Sequence, residues 1–231
     1  MEESKMAESD NSKDLISVLW SGADILRSKM DANEYKDYLL GIVFYKYLSD
    51  SFLIKVYDLI YDDKPDSLKV ALDAYKEALA DESAEELKEQ IKSECHYVIE
   101  PELTYTCFAD AARNNSFNRE QLQKAFNNIE QSDPLFADLF TDIDLYSNRL
   151  GTGDQKQSDT ISSLIKEIDK ADLLNSDADV LGNAYEYLIG QFASETGKKA
   201  GEFYTPQAVS KILTKIAIAE QENKKGLSVY D

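Results

Sequence analysis

A mainly α fold is what this sequence predicts, and three observations carry the prediction. Apolar residues recur at three- and four-residue spacing from Leu15 to Ala219. One long run, "EYKDYLLGIVFYKYLSDSFLIKVYDLIY", is apolar over much of its circumference, as the central helix of a bundle is. The one clear β-type run after a turn glycine is "GLSVYD", Gly226 to Asp231, and it stands alone.

The elements follow in order. The opening "MEESKMAESDNSKD" is polar and acidic, so residues 1–13 are expected to be a disordered tail. Leu15, Leu19, Ile25, Leu26 and Met30, with Trp20 among them, sit at helical spacing and predict a first helix from Leu15 to Met30. Asp31 and Asn33 offer cap chemistry for a longer second one, "EYKDYLLGIVFYKYLSDSFLIKVYDLIY", apolar over much of its circumference. A helix of that kind belongs at the centre of a bundle. Its tyrosines, Tyr35, Tyr38, Tyr45, Tyr47, Tyr57 and Tyr61, fit core packing with hydroxyls at the rim better than a platform for stacking bases. "PDSLKVALDAYKEAL" and "SAEELKEQIKSE" read as surface helices started by Asp66 and Ser83. "YVIEPE" breaks the pattern and predicts a short extended segment ended by Pro101. "NREQLQKAFNNIEQSDP" is a helix opened by Asn118, with Gln121 in the capping-box position and Pro134 as its stop.

"DIDLYSNRLGTGDQKQS" has the composition of an exposed loop and marks a subdomain junction, with Gly151-Thr152-Gly153 as a turn rather than a phosphate loop. The expected organisation is therefore a helical domain over 14–150 and a second region over 151–231. In the latter, Asp159 opens "TISSLIKEIDKADLL", and Asp177 or Asp179 opens "VLGNAYEYLIGQFASETG", which Gly197 terminates. Thr205-Pro206 starts the last helix, Thr as N-cap and Pro at the first position, with Val209, Ile212, Leu213 and Ile216 on one face.

Composition excludes several classes of function. The formal net charge of −19 does not suit a protein that coats nucleic acid, since phosphate contacts need Lys and Arg. Between Gly197 and Gly226, however, Lys198, Lys199, Lys211, Lys215, Lys224 and Lys225 face only Glu202, Glu220 and Glu222, a local +3. That run is either a solvated helix face or a patch for an anionic ligand or DNA. With His96 the only histidine and Cys95 and Cys107 outside a C-x-x-C arrangement, no Cys/His metal cluster is expected. The cysteines are expected as reduced packing residues. A dyad of Cys95 with His96 is disfavoured because adjacent helical residues point apart. No signal pattern or apolar run of membrane-spanning length is present, which predicts a cytoplasmic protein without membrane association.

The stretch "KKAGEFYTPQAVSKIL" carries the strongest functional suggestion. A capped helix start points uncommitted N–H groups and the positive end of its dipole at the preceding loop, where a carboxylate or phosphate is favoured. Phe203 and Tyr204 can wall an apolar ligand group, and Gly201 lets the backbone bend around it.

The wider wording "DVLGNAYEYLIGQFASETGKKAGEFYTPQAVSKIL" closely resembles the modification (methyltransferase) subunit of type I restriction-modification systems. "LWSGADILRSKMDANEYKDYLLGIVFYKYLSD" is similar to that family's N-terminal helical domain, and "YVIEPE" and "DIDLYSNRLG" also look like it. The resemblance implies a helical bundle followed by the first helices and first strand of a truncated, Rossmann-like methyltransferase domain. It implies S-adenosyl-L-methionine as cofactor and adenine N6 in double-stranded DNA as the methyl acceptor of the complete subunit. Cofactor contacts carry over to Glu202, Phe203, Tyr204, Thr205, Pro206 and Gln207, and to Asp231 at the end of "LSVYD". Implied partners are a DNA-specificity subunit, a second modification subunit and a restriction subunit. The Gly-rich cofactor loop and the Asn-Pro-Pro-Phe/Tyr motif of the family are absent, since Pro65, Pro101, Pro134 and Pro206 are all isolated. No catalytic residue is therefore assigned, and the expectation is an inactive N-terminal fragment that supplies the helical assembly and DNA-clamping domain and part of the cofactor site. The alternative is a non-enzymatic helical protein-protein interaction module.

Overall fold

The computed structural model describes residues 2–81, 83–173, 182, 205 and 207–218, with the backbone alone at 2–14, 32–33 and 207. Every regular element among them is helical, as the spacing of apolar residues predicts. They divide between two compact units, 1–185 and 186–231.

The first unit is built around one long helix. Helix α1 runs Glu2–Arg27, α2 Ala32–Tyr61, α3 Leu68–Leu79, α4 Ala84–Cys95, α5 Tyr105–Arg113, α6 Arg119–Ser132 and α7 Asp154–Ile168. Leu39, Ile42, Tyr45, Phe52, Leu53 and Val56 of α2 are fully buried, and α1, α3, α4, α5 and α7 all pack against it. This is the central position expected of a helix that is apolar on several sides. Gly22 of α1 permits a close approach there: a Cβ would lie 3.1 Å from Leu164 Cδ1 and 3.2 Å from Leu39 Cδ2.

Aromatic side chains weld the short helices to α2. Tyr45 meets Phe126 edge-on at 5.4 Å, and Phe126 stacks on Phe140 at 4.2 Å. Two turns further along, Phe52 packs against Tyr75 at 5.5 Å and Tyr97 at 5.9 Å. Such pairs add directional preference to the area they bury. Of the six α2 tyrosines, Tyr35, Tyr38 and Tyr45 are buried and Tyr61 is exposed. The hydroxyls of Tyr38 and Tyr45 donate to the carbonyls of Asp144 (2.7 Å) and Leu103 (2.6 Å), so they bind other segments instead of reaching the rim.

Local chemistry sets the helix ends. The Asp31 N–H donates to Glu34 Oε2 at 3.3 Å at the start of α2. Helix α3 is capped by Ser67, whose hydroxyl accepts from the Val70 N–H at 3.3 Å, in place of the expected Asp66. Asn118 caps α6 as predicted, its side chain accepting from the Glu120 N–H at 2.8 Å. Pro134, expected as the stop of α6, opens a 3-10 turn at Pro134–Phe136. Residues 97–100 carry no regular structure, in line with the predicted break, and Pro101 then opens a second 3-10 turn, Pro101–Leu103.

Three expectations need correction. The backbone is helical from Glu2, so the stretch taken for a disordered tail over 1–13 continues into α1; it contains neither glycine nor proline to stop a helix. The stretch 142–158, expected as an exposed loop, is exposed at most positions but anchored at others. Ile143, Leu145 and Leu150 are buried, and its carbonyls are claimed by Gln157 (Tyr146 O, 3.0 Å), Thr160 (Leu150 O, 2.7 Å) and Lys29 (Leu150 O, 3.2 Å). Helix α7 starts at Asp154, five residues before the expected Asp159, directly after the Gly151 and Gly153 turn at φ 150° and 91°. Helix α7 packs on α1 and α5 and so belongs to the first compact unit.

Helix α5 was not anticipated. Thr104 caps it, its hydroxyl accepting from the Cys107 N–H at 3.4 Å, and Tyr105, Phe108, Ala109 and Ala112 form its buried face. In the second unit the described helix is α8, Gln207–Ile218. The helix expected over 180–197 and the terminal strand "GLSVYD" lie outside the described residues. No described helix is long and apolar enough to cross a membrane.

Candidate functional site

Of the residues assigned to a cofactor from the sequence, Thr205 and the backbone of Gln207 are described, while Glu202, Phe203, Tyr204, Pro206 and Asp231 lie outside the described residues. Thr205 is exposed, and α8 begins at Gln207, two positions on. A helix therefore starts where the Thr-Pro pair predicts one, with its first N–H groups directed at the segment that precedes it. Val209, Ile212, Leu213 and Ile216 fall at the spacing of one face, as expected, and all four are exposed. Lys211 and Lys215 are carried by the same helix.

Inside the first unit lies a polar constellation that the sequence reading passed over. Lys46 and Asp50, one turn apart on α2, form an ion pair at 2.5 Å with side chains only 4% and 2% exposed. The Lys46 ammonium also lies over the Tyr105 ring, 5.0 Å from its centroid. Next to them the Ser49 hydroxyl accepts from the Tyr105 N–H at 2.8 Å, and the Tyr105 hydroxyl donates to the Ile165 carbonyl at 2.9 Å. Thus α2, α5 and α7 are joined by hydrogen bonds around a buried charge pair. Burial pushes the Asp50 carboxyl up to about 6 against the pull of Lys46, and the charges of Asp169 and Asp172 add to the rise. One oxygen of Asp50, Oδ1, has no hydrogen-bond partner.

The pair borders a groove of about 820 Å³ formed by α2, the segment 64–68 and the segment 169–173. Its walls mix Ile54, Pro65 and Leu68 with Lys55, Asp58 and Lys170. Asp169 is held to Arg113 of α5 by an ion pair, which anchors that wall. The signal for this site was present in "FYKYLSDSF", where a Lys and an Asp at i, i+4 interrupt an apolar run. Charges placed there cost free energy on burial unless paired, so their presence in a central helix marks them.

The cysteines behave as expected of packing residues. Cys95 and Cys107 are free and partly buried, and burial raises the Cys95 thiol above its ordinary range, away from a reactive thiolate. His96 takes a left-handed conformation at the end of α4, with φ 66°, and its nearest charged neighbour is Asp133 Oδ2 at 3.9 Å. Among the described residues no group of three or more His, Cys, Asp or Glu is placed to hold a metal ion.

Comparison with known proteins adds family relationships to this geometry. Residues 15–168 match the HsdM N-terminal domain family, and residues 176–231 match the N-6 DNA Methylase family. The type I restriction enzyme MpnII methylase subunit of Mycoplasma pneumoniae is 29% identical over 228 residues, covering 92% of this chain and 40% of that protein. The MjaVIII methylase subunit of Methanocaldococcus jannaschii is 31% identical over 208 residues, or 87% of this chain and 31% of the relative. The crystal structure of a type I restriction-modification system methyltransferase subunit from Streptococcus thermophilus superposes with a TM-score of 0.86 at 49% identity, over 94% of this chain and 46% of that one. The chain thus spans less than half the length of each of these relatives.

Proposed function

This chain belongs to the HsdM N-terminal domain family over residues 15–168, and from that premise we propose that it is the N-terminal part of the DNA-methylating subunit of a type I restriction-modification system. The observation that carries the reading is the succession of the two family matches, a helical domain over 15–168 followed after seven residues by a match to N-6 DNA methylase over 176–231. The complete subunit, on this reading, methylates adenine N6 in double-stranded DNA within the cytoplasm. The helical unit takes part in assembly with a DNA-specificity subunit and a second modification subunit, and in closing around DNA; a restriction subunit joins the same assembly.

The segment before α8 is proposed as one wall of the cofactor site. Glu202, Phe203, Tyr204, Thr205, Pro206 and Gln207 would hold the methionine end of S-adenosyl-L-methionine, and Asp231 would add a further contact to the cofactor. The start of α8 just after Thr205 fits this role, because free N–H groups at a helix N-terminus suit a carboxylate. When bound, the cofactor supplies an electrophilic methyl group. Adenine is presented to it by base flipping, which demands positioning more than covalent help from the protein. The sequence contains no Asn-Pro-Pro motif to hold the target amine, so the chain alone is expected to be inactive.

Two measurements test this. Isothermal titration of S-adenosyl-L-methionine into the 231-residue chain is expected to detect no micromolar binding, and a micromolar Kd contradicts the one-wall reading. Co-expression with a cognate specificity subunit is expected to give a co-purifying complex. Separate elution, under conditions where a full-length modification subunit co-elutes, removes the assembly role from this part of the protein.

A further inference from the structure

We propose that the groove formed by α3, α4 and the last turn of α2 docks a basic segment of a partner protein, which inserts an arginine side chain. The inference goes beyond the reading above, since it concerns a surface of the helical unit and uses nothing of the cofactor segment. Helix α3 lines the groove with Glu77, Ala78 and Asp81, and α4 lines it with Glu86, Leu87 and Gln90. On each helix these residues recur at three- and four-residue spacing, which makes one face. The end of α2 contributes Ile60 and Tyr61. Lys76 and Lys88 fall outside the lining, and Lys88 is held by Glu85 at 3.0 Å. No described basic side chain therefore lines the groove, and Glu77, Asp81 and Glu86 are all exposed.

The surroundings select the partner's chemistry. Three exposed carboxylates attract a cation and repel nucleic acid and anionic lipid. Two further features point the same way. Tyr61 is 51% exposed, with its ring 4.7 Å from that of Tyr57, and it offers an aromatic face on which a guanidinium stacks. The last turn of α2 carries no basic residue to offset the negative end of its dipole, whereas the positive end of α4 is met by its own Glu85 and Glu86. The groove also has an apolar part: Ile60, Ala78 and Leu87 are half-buried and can cover an arginine stem while the head group reaches the carboxylates. Its volume of about 410 Å³ takes one long side chain with its immediate neighbours.

The test uses the whole chain with its alanine, isoleucine and leucine methyl groups labelled for NMR. The peptide acetyl-Ala-Arg-Ala-Ala-Arg-Ala-amide is titrated beside its citrulline counterpart, the uncharged isostere, and beside methylguanidinium, the free head group. A saturable shift of the Ile60, Ala78 and Leu87 methyl signals is expected with the arginine peptide, with far weaker binding of the other two probes. Glu77→Gln/Glu86→Gln is expected to weaken peptide binding about tenfold, and Tyr61→Ala about threefold. Glu120→Gln/Asp142→Asn removes the same charge from exposed positions outside the groove and is expected to leave binding nearly unchanged. That control accounts for the general attraction of a chain with net charge −19. All five substituted residues are exposed, so the variants are expected to fold, as circular dichroism checks. The proposal is overturned by the absence of a saturable shift, by citrulline or methylguanidinium binding as tightly as the arginine peptide, by equal weakening in the two double variants, or by unchanged binding to Tyr61→Ala.

Discussion

The buried Lys46–Asp50 pair predicts an unusual pH dependence of stability. In the folded chain the Asp50 carboxyl titrates near 6, raised chiefly by burial from an ordinary value of 3.8. Between those two values the folded state holds a proton that the unfolded state has released. The contribution of Asp50 is therefore fully present below about pH 4, declines as pH rises through about 6, and is level above that. A displacement of roughly two units corresponds to about 3 kcal/mol over the interval. The perturbation that isolates it is the double variant Lys46→Met/Asp50→Leu, which replaces both charges by apolar groups and avoids a lone buried charge. Urea unfolding followed by far-UV circular dichroism at intervals from about pH 4 to about pH 7 gives both profiles. The net charge of −19 also makes self-repulsion grow with pH, but that contribution is common to the two proteins. The stability difference, unmodified minus double variant, is expected to fall by about 3 kcal/mol across the interval. Parallel profiles refute the assignment of Asp50 as a buried, proton-binding group.

Further consequences follow from particular contacts. Phe126→Ala removes a fully buried ring that touches both Tyr45 and Phe140; a loss of about 3–5 kcal/mol in urea unfolding is expected. Tyr105→Phe deletes the hydroxyl that ties α5 to the Ile165 carbonyl of α7, at a cost of about 1 kcal/mol by the same measurement, because that carbonyl still accepts from the Asp169 N–H. Ser67→Ala removes the N-cap of α3 and is expected to cost about 1 kcal/mol, whereas Asp66→Ala, outside the cap, leaves the urea midpoint unchanged.

Much of the first unit was legible because its signals are local. Asn118 announces α6, and the uninterrupted apolar circumference of α2 announces a central helix. Helix α5 escaped notice because nine residues give only two and a half turns of periodicity, even though Tyr105, Phe108, Ala109 and Ala112 occupy ideal positions. The loop at 142–153 misled for the opposite reason. Its Gly, Ser and Asn content is that of a surface segment, while its carbonyls are bound by Lys29, Gln157 and Thr160.

By itself the sequence determined that the described residues are helical, that α2 is the central helix, and that a helix starts just after Thr205-Pro206. Those properties depend on residues within three or four positions of each other. The wording of its motifs also pointed to the family to which residues 15–168 belong. Only the tertiary structure decided that Lys46 and Asp50 are buried together beneath Tyr105, that Asp169 and Asp172 act on Asp50 across more than a hundred residues, and that one oxygen of that carboxylate is enclosed without a hydrogen-bond partner. The free energy of a charge depends on the dielectric and the partners that packing places around it, and neither is encoded by its neighbours in the chain.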